Sequence, residues 1–506
     1  MTAFDVTTEE IPAFRRALIL LGGMLTVTLY FTSLMVASTV LPQIQGSMSA
    51  TADEASWVMT FNMLATAVAT PMTGWLVANF GRRNVMVGCM AGFTIATLMC
   101  GLAGSLETLV MWRIVQGAMG APTVPLAQTI LLDTFPPRQQ QMALGMFGMG
   151  VVLGPIIGPA LGGYFAEESS WRSAFYLLVP IGLAAVFTLR FTLPPDDKPP
   201  GVRFDWTGFL SLSIAVSCLQ LVLARGQRLD WFDSYEINIS TIAGVIAFYV
   251  FIAHSVTAEK PFINLKLLLN RNLVLGYILV SIFGMLNFMP MVVLPSLMRN
   301  YIGFPDSLVG EVVGSRGIGG LLGFFAAMFV GRLDARISMA AGFLMQFIAG
   351  IWLMGMTLDV TPLELGLNGI LQGASVGAIW VPLSIATFAD VPSRDRPEAT
   401  ALFHLLRNIA ASLSITIAVV EIVHSTGTNY ARMTEFITDF TATAALPSVI
   451  GGWNMKTAAG LAQISKEITR QSALIGYINA FGLYTAASAI AIPCSFLLTR
   501  PKTAKK

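Results

Sequence analysis

Four basic side chains lie inside long apolar stretches of this 506-residue chain: Arg113, Arg316, His404 and Arg407. A charge in an apolar medium costs roughly 3 kcal/mol or more, so such a residue normally faces a cavity or a partner. Histidine changes charge roughly between pH 5 and 8, which suits a proton carrier. His404 and Arg407 are also one helical turn apart. These four residues are therefore candidates for proton coupling or for lining a cavity.

Four more polar residues near these stretches are candidates for the same roles: Gln116, Asp133, Glu311 and Glu421. Gln116 follows Arg113 by one turn on the same face of a helix. Glu421 and His424 have the spacing of a helical ion pair. Structural roles remain open for each of them, and Arg113 could simply bond to backbone carbonyls near Pro122 or across a bundle.

The elements that must position these residues are membrane helices. Hydrophobic residues make up 55% of the chain and charged residues 11%, whereas soluble proteins carry about 25% charged residues. Apolar runs of about 20 residues, each long enough to cross a bilayer, recur along the chain. Because a lipid-exposed backbone must satisfy its own hydrogen bonds, the spans are expected to be helices, giving an all-α polytopic membrane protein. The fourteen predicted spans are 17–42, 56–78, 84–104, 108–132, 141–165, 172–193, 205–224, 237–257, 272–298, 307–331, 336–357, 363–389, 398–424 and 474–498.

The basic residues predict the orientation. With the N-terminus in the cytoplasm, nineteen of the 30 Lys and Arg fall in cytoplasmic segments, eight on the opposite side and three within spans. This bias fits the positive-inside rule, and an even number of spans returns both termini to the cytoplasm. Arg15 and Arg16 precede a first span with no cleavage site after a short core, so we expect this span to be retained.

An internal repeat divides the chain. QGAMGAPTVPL from Gln116 resembles QGASVGAIWVPL from Gln372, and GRR at Gly81 resembles GRLDAR at Gly331. Parallel repeats of this kind are a transporter architecture. The predicted organisation is a first six-span bundle at 1–193, a linker with two additional spans at 194–260, spans 9–13 at 261–424, a long outer loop at 425–473, and the last span with a basic tail at 474–506. An amphipathic helix is expected within that loop, at roughly 453–472.

The stretch GMGVVLGPIIGPALGGY (148–164) places a small residue on one helix face every four residues. This stripe comprises Gly150, Gly154, Pro155, Gly158, Pro159 and Gly162. In lipid, close backbone packing drives helix association, and glycine permits it. The stripe therefore predicts tight helix packing, with a bendable joint between the two halves as the functional alternative.

Several activities have no support in the sequence. A GxxxxGK[ST] phosphate loop is missing, as are the GxSxG and HExxH arrangements, so neither ATP hydrolysis nor another enzymatic activity is expected. The four cysteines lie in apolar runs without metal-ligand spacing, and no metal or other cofactor is expected. A net charge of +2 gives nucleic-acid binding no basis.

Five motifs carry a family resemblance. The glycine stretch resembles the antiporter motif of the major facilitator superfamily, GWLVANFGRR (74–83) its loop 2–3 motif, and RIVQGAMGAP (113–122) its fourth-helix motif. WRSAFYLLVPIG (171–182) and LARGQRLDWFDSYEI (223–237) are similar to segments of the fourteen-span drug:proton antiporters of the Emr type. The resemblance runs from about residue 17 to 498. It implies two six-helix bundles with two intervening helices.

The resemblance also assigns roles. It implies that Arg113 takes part in proton coupling and that Gly74, Gly81, Arg82 and Arg83 form a cytoplasmic latch. Ser33 is a weaker candidate for substrate contact. So are the residues of two apolar clusters, in the second and ninth predicted spans: Met59, Phe61 and Met63, and Met285, Phe288 and Met289. Methionine and aromatic surfaces suit promiscuous apolar ligands, but lipid-facing or packing roles are the alternative for most of these residues.

The chain departs from the family pattern at three positions. Ser33 stands where the family has a first-helix aspartate proposed to carry protons, Leu178 replaces a sixth-helix asparagine, and Ala78 replaces the latch aspartate. Coupling must therefore use other residues, and the latch is expected to be weaker.

The expected function is proton-driven export of hydrophobic or amphipathic drugs across a bacterial inner membrane. The resemblance implies a membrane-fusion adaptor in the periplasm and an outer-membrane channel as partners, beside the small-molecule substrate and membrane lipid. A dedicated exporter of a siderophore, fatty acid or other metabolite is the alternative within transport. A receptor or scaffold that no longer transports is the alternative from another class.

Overall fold

The computed structural model describes residues 12–168, 170–195, 201, 203–259, 261–329, 334–437 and 457–498, and this part of the chain is helical without any strand. The α-helices in chain order are α1 Ala13–Thr39, α2 Leu41–Ser47, α3 Ala52–Ala69, α4 Thr73–Phe80, α5 Arg82–Leu102, α6 Leu106–Gly120, α7 Thr123–Thr134, α8 Pro137–Glu168, α9 Trp171–Thr192, α10 Trp206–Arg225, α11 Tyr235–Thr257, α12 Arg271–Leu297, α13 Asp306–Phe329, α14 Ala335–Met354, α15 Pro362–Phe388, α16 Arg396–Glu435 and α17 Ala458–Ser495.

The predicted spans correspond to these helices with two divisions. Twelve helices in the described part are each long and apolar enough to cross a membrane. The spans predicted at 56–78 and 108–132 are each built from two helices: α3 and α4 meet at a 3₁₀ turn, Thr70–Met72, and α6 and α7 meet beside Pro122. Proline lacks a backbone N–H and crowds the preceding turn, which explains both breaks. The total of fourteen spans remains a prediction.

The outer segment 425–473 differs from its prediction. Helix α16 continues past residue 424 to Glu435, and α17 begins at Ala458 rather than at 474. Both flanks predicted as loop are therefore helical, and residues 438–456 lie outside the described part. The amphipathic helix expected at 453–472 is present from Ala458 as the first turns of α17. There, Ile464 and Ile468 are buried but Leu461 is half exposed.

Helix starts at the predicted outer side are specified locally. Thr51, Ser105 and Thr361 each cap a helix by accepting the N–H three residues on, and that residue's side chain returns a bond to the cap. Such reciprocal capping satisfies N–H groups that have no partner inside the helix. The caps explain why α3, α6 and α15 begin where they do.

Loops assigned to the same membrane side contact one another. On the predicted cytoplasmic side, Arg15 Nε donates to the carbonyl of Thr192 at 2.7 Å. On the opposite side, Arg172 donates to the carbonyl of Ala103 at 3.0 Å. These contacts agree with the alternation of sides that the charge distribution predicts.

The two halves repeat one set of helix pairings. In the first half α1 packs on α8, α3 on α6, and α5 on α9. In the second half the corresponding pairs are α12 with α16, α13 with α15, and α14 with α17. Helices α10 and α11, which come between the halves in sequence, pack on each other and contact α3 and α16 through α10. The spatial pairings therefore agree with the sequence repeat.

The glycine stripe packs within the first half. A Cβ on Gly154 would lie 2.5 Å from the Cβ of Phe31, and a Cβ on Gly158 would lie 2.5 Å from the Cβ of Met35, both on α1. Thr28 of α1 also donates to the carbonyl of Gly150 at 3.0 Å. The prediction of close helix packing is confirmed. The prediction that this stripe joins the two halves is wrong, because its partner belongs to the same bundle.

A different face of α8 contacts the second half. Gly145 and Gly148 face Met328 and Phe324, and further along α8 Val152 and Ile156 fill the spaces beside Gly320 and Gly317 of α13. These contacts extend from the predicted cytoplasmic end of both helices to their middle. Towards the outer end of α13, added Cβ atoms on Gly310 and Gly314 would meet no described atom within 4 Å. The halves are thus joined at their predicted cytoplasmic ends.

Candidate functional site

Arg113 is completely buried in the first half and is held by its own bundle. Its guanidinium donates to Oε1 of Gln116 and, through Nε, to the carbonyl of Val58 at 3.3 Å. The amide of Asn62 donates to the carbonyl of Arg113 at 2.8 Å. The alternative that Arg113 bonds to backbone carbonyls therefore holds for one of its hydrogen bonds. That carbonyl belongs to Val58, across the bundle on α3, and not to a residue near Pro122.

Ser33 belongs to the same network. Nε2 of Gln116 donates to the hydroxyl of Ser33 at 2.9 Å and to that of Thr97 at 2.7 Å. The position where the family has an aspartate is therefore one side chain away from Arg113. A neutral amide and a neutral hydroxyl stand where an ion pair to a carboxylate could form.

His404 is buried at the junction of the halves. Its Nε2 is 2.7 Å from Oε1 of Gln128, which lies on α7 of the first half. One turn from this pair, Thr129 Oγ1 donates to Thr400 Oγ1 at 3.1 Å. The ring of His404 also lies 5.6 Å from that of Trp380. The predicted neighbours His404 and Arg407 share a helix without a direct hydrogen bond in the described structure.

Arg407 lies near two aromatic rings of the second half. Its guanidinium carbon is 5.4 Å from the ring centre of Trp380 and 5.9 Å from that of Phe288, distances at which a cation is attracted to a ring face. Its Nε and Nη2 donate to the side-chain oxygen of Asn408. The backbone of Arg407 approaches α12 closely at Gly284.

Arg316 contacts the same stretch of α12. Its Nη2 donates to the carbonyl of Asn287 at 2.7 Å and to that residue's side-chain oxygen at 3.0 Å. Its Nη1 is buried without a hydrogen-bond acceptor among the described residues. Arg316 and Arg407 therefore both border residues 284–288.

Asp133 is the centre of an ion cluster that joins the halves at the predicted cytoplasmic side. Its carboxylate pairs with Arg82 of the loop 2–3 motif and with Arg396 at the start of α16. Arg82 also donates to the carbonyl of Ser393 in the second half. Because the carboxylate is only 4% exposed, water screens these pairs weakly.

Of the four predicted latch residues, Arg82 belongs to this cluster and the other three lie around it or apart from it. Gly81, with a φ of 82°, has a backbone conformation that glycine adopts readily, and it turns the chain directly before Arg82. If residue 74 had a Cβ, that atom would lie only 2.9 Å from the Cβ of Glu398 on α16. Glycine at this position therefore permits close contact between the halves. Arg83 instead donates to the carbonyl of Arg190 at 2.6 Å, within its own half.

The two apolar clusters that are candidates for substrate contact lie in separate places. Met59 contacts Arg113 through its sulfur, whereas Met63 on the same helix is 56% exposed. Met285 and Met289 of α12 line a small cavity of about 40 Å³ between α12, α16 and α17. A larger cavity of about 540 Å³ lies elsewhere, between α10, α11, α16 and the segment before α12, and its lining is almost wholly apolar.

Two acidic candidates lie apart from the buried basic residues. Glu311 is exposed on α13, and Glu421 accepts a hydrogen bond from Asn479 at 3.3 Å. The ion pair that the spacing of Glu421 and His424 would allow is not among the salt bridges of the described residues. Both residues lie towards the predicted outer ends of their helices.

Sequence reasoning missed several residues that complete these groups. Taken one at a time, these residues look like any other residue of an apolar helix or of a basic loop: Gln128, Trp380, Asn287 and Arg396. Only Trp380 carried a signal, because it lies within the repeated QGASVGAIWVPL motif. The others become candidates through partners that are distant in sequence.

Comparisons with known proteins agree with this arrangement. A model of the Major Facilitator Superfamily matches residues 23–415. The Multidrug export protein EmrB of Escherichia coli (strain K12) is 30% identical over 446 residues, covering 87% of each protein. The Multidrug export protein EmrB of Haemophilus influenzae is 28% identical over 474 residues, covering 92% of this chain and 93% of that protein. The solved structure of the human organic anion transporter MFSD10 (TETRAN) covers 96% of this chain and 100% of its own with a TM-score of 0.62, but at 13% identity it shows the fold alone.

Proposed function

The chain belongs to the major facilitator superfamily, and from this premise we propose that it exports drugs and other toxic amphipathic compounds in exchange for protons. Two relatives that share most of its length carry the name multidrug export protein. The proposed activity is transport rather than catalysis. The energy source would be the proton gradient across a bacterial inner membrane, without a bound cofactor.

The observation that carries this proposal is the one-sided closure between the halves. The ion cluster at Asp133 and the α8–α13 contact close the predicted cytoplasmic end. Such closure would correspond to the outward-facing state of a transporter, in which a central site opens to the far side of the membrane. Breaking the same contacts would let the halves rock to the inward-facing state.

Protonation would bias the equilibrium between these two states. A ligand or proton shifts a conformational equilibrium only by its differential affinity for the states. His404 meets this requirement in geometry, because its bond to Gln128 crosses between the halves. Within the first half, Arg113 and Gln116 would take part in proton coupling together with Ser33.

Proton-driven export is tested in vesicles. Vesicles containing the purified chain would be loaded with an amphipathic fluorescent compound, and efflux would be followed with and without an imposed proton gradient. We expect efflux against a concentration gradient only when protons can flow in the opposite direction. Gradient-independent efflux would refute proton coupling, and absence of efflux for a broad panel of toxic compounds would refute the drug-export proposal.

Assembly with an adaptor follows from the same proposal. Both termini are proposed to be cytoplasmic, which leaves α16 and α17 projecting beyond the predicted span ends at residues 424 and 474 on the outer side. A periplasmic membrane-fusion adaptor and an outer-membrane channel would receive the substrate there. Crosslinking from engineered cysteines at exposed positions of these extensions, in cells that contain the adaptor, tests the contact.

A further inference from the structure

Within the part of the chain that the structure describes, the three arginines inside the spans have no carboxylate partner. Among the described residues, none of Arg113, Arg316 and Arg407 forms a salt bridge, although exposed arginines such as Arg225 and Arg299 do. The ionisable groups that interact electrostatically with the three are Tyr30, Cys100, Tyr484 and His404. The first three are neutral near pH 7 and His404 is a base, so none of them supplies a compensating negative charge. In the described part of the chain, the buried charges of Arg113 and Arg407 and the half-buried charge of Arg316 are therefore not balanced by a carboxylate.

Two of these charges lie near a shared stretch of the second half. Arg316 donates to Asn287, and Arg407 packs against Gly284 and Phe288, so both guanidinium groups border α12 between residues 284 and 288. Tyr30, on α1 of the first half, interacts electrostatically with both Arg113 and Arg407. Arg407 of the second half therefore lies close to a helix of the first half.

Hydrogen-bond donors in this region lack acceptors. Nη1 of Arg316 and Nε1 of Trp380 are buried without a partner in the described part of the chain. The guanidinium of Arg407 has only a neutral amide oxygen, on Asn408, as its described acceptor. Leaving a buried donor unpaired is costly, so a group that accepts these bonds would bind favourably.

The remaining neighbours are apolar. Phe288 and Trp380 face Arg407, and Phe403 lies 5.4 Å from Trp380. Met285 and Met289 of the same helix line the small cavity instead, and neither arginine lines that cavity. A ligand beside Arg316 and Arg407 would meet positive charge and unpaired donors at one end and aromatic surfaces at the other.

We propose that the transported substrate is an amphipathic organic anion, with a carboxylate, sulfonate or phosphate held near Arg316 and Arg407 and an aromatic or aliphatic body on the surfaces beside them. This inference rests on the proposed export function and names the charge class of its substrate. An organic cation would meet the uncompensated arginines without any carboxylate to offset them, and is disfavoured. The large cavity beside α10 and α11 has no such charges and is not this site.

The test compares two probes of equal size and opposite charge, naphthalene-2-sulfonate and 2-naphthyltrimethylammonium. Binding of each to the purified full-length chain would be measured by equilibrium dialysis. We expect the sulfonate to bind at least about tenfold more tightly, a modest preference for a charged group inside a protein. Equal or tighter binding of the ammonium probe would overturn the proposal, and so would failure of the chain to bind either probe.

Variants locate the binding. Arg316→Gln and Arg407→Gln should each weaken sulfonate binding about tenfold and leave ammonium binding unchanged or stronger. Arg225→Gln is the matched control, because Arg225 forms an exposed pair with Glu236 at the outer surface. Asn287→Asp covers the case in which an arginine variant does not fold. It retains the hydrogen bond to Arg316 and supplies the missing negative charge, so sulfonate binding should again fall.

Equal weakening of both probes, or unchanged sulfonate binding in Arg316→Gln, Arg407→Gln and Asn287→Asp, would overturn the proposal. These outcomes are separate from those for export, because binding needs no proton gradient. Selective sulfonate binding in a chain that never exports against a gradient would refute the proposed function and leave the charge preference standing.

Discussion

The carboxylate of Asp133, at the end of α7, pairs with the guanidinium of Arg396, at the start of α16, and so joins the two halves of the chain. The same carboxylate pairs with Arg82 of the loop 2–3 motif. The family's own aspartate in that motif is replaced by Ala78, yet a negative charge is still present between the basic residues. Asp133 supplies it from the neighbouring helix end, which argues against the weakened latch that the sequence predicts.

We predict that Asp133→Asn opens the predicted cytoplasmic end. Without the carboxylate, Arg82 and Arg396 lose their shared partner and repel each other in a poorly solvated place. Removing one member of a buried ion group costs about 3–5 kcal/mol, enough to reverse a conformational preference of a few kcal/mol. Labelling of a cysteine placed at Thr400 should become faster, and active export should fall.

Asp306→Asn is the control for this prediction. Asp306 pairs with Arg299 at 2.7 Å, but both side chains are more than half exposed at the outer surface. Exposed pairs contribute about 0–1 kcal/mol, so this variant should leave labelling and export unchanged. If Asp133→Asn behaves like Asp306→Asn, the ion cluster does not hold the halves together.

We predict that His404→Gln separates transport from proton coupling. Glutamine can still hydrogen-bond with Gln128 across the halves, but it has no ring nitrogen that could take up a proton. Exchange of substrate down its own gradient should continue, whereas export against a gradient should fall strongly. Vesicle assays with and without an imposed proton gradient measure both activities.

The matched variant for His404 is Thr400→Val, one turn away on the same face of α16. It removes the hydrogen bond to Thr129 between the halves and no titratable group. Uphill export that survives in His404→Gln, or that is lost equally in both variants, would exclude His404 as the proton carrier.

How much the sequence could predict depends on the range of the signal. Hydropathy and charge are summed over about 20 residues, so the spans and the pairing of loops by side follow from them. The repeat around Gln116 and Gln372 predicts the two halves. Breaks inside spans were missed because Pro71 and Pro122 look like the tolerated prolines of α8, which remains one helix.

Contacts between distant segments could not be predicted in this way. Spacing predicts that Gly154 packs closely, but it does not say whether the partner is α1 or α13. The same limit applies to Arg396, which counts only as a basic loop residue until the fold places it beside Asp133. Whether Arg316 has a carboxylate partner also depends on which side chains the neighbouring helices bring towards it, and the described helices bring none.

We predict that Gln116→Ala inactivates the chain more severely than the equivalent change in the second half, Gln372→Ala. Gln116 is the side-chain oxygen acceptor of the buried Arg113 and links it to Ser33. Gln372 donates to Asn368, a neutral partner, at 2.7 Å. An unpaired buried group costs about 1–3 kcal/mol, and more when it is charged.

Thermal unfolding in detergent and export in vesicles compare these two variants. We expect a lower unfolding temperature and little export for Gln116→Ala, with milder losses for Gln372→Ala. Equal effects in the two halves would mean that the link to Arg113 has no special importance.

The final prediction concerns the glycine stripe, where Gly154→Ala should prevent α8 from seating on α1. The added methyl group would lie 2.5 Å from the Cβ of Phe31 and 2.8 Å from the backbone nitrogen of Thr32, neither of which is the end of a flexible side chain.

Gly163→Ala is the control, because a Cβ there meets no described atom within 4 Å. Alanine is a better helix former than glycine by about 1 kcal/mol, so the control should be neutral or slightly stabilising. Because Gly154 faces its own bundle, its variant should lower the unfolding temperature of the purified chain. If Gly154→Ala keeps the normal unfolding temperature but changes the labelling rate of the cysteine placed at Thr400, the stripe would instead act as a joint between the halves.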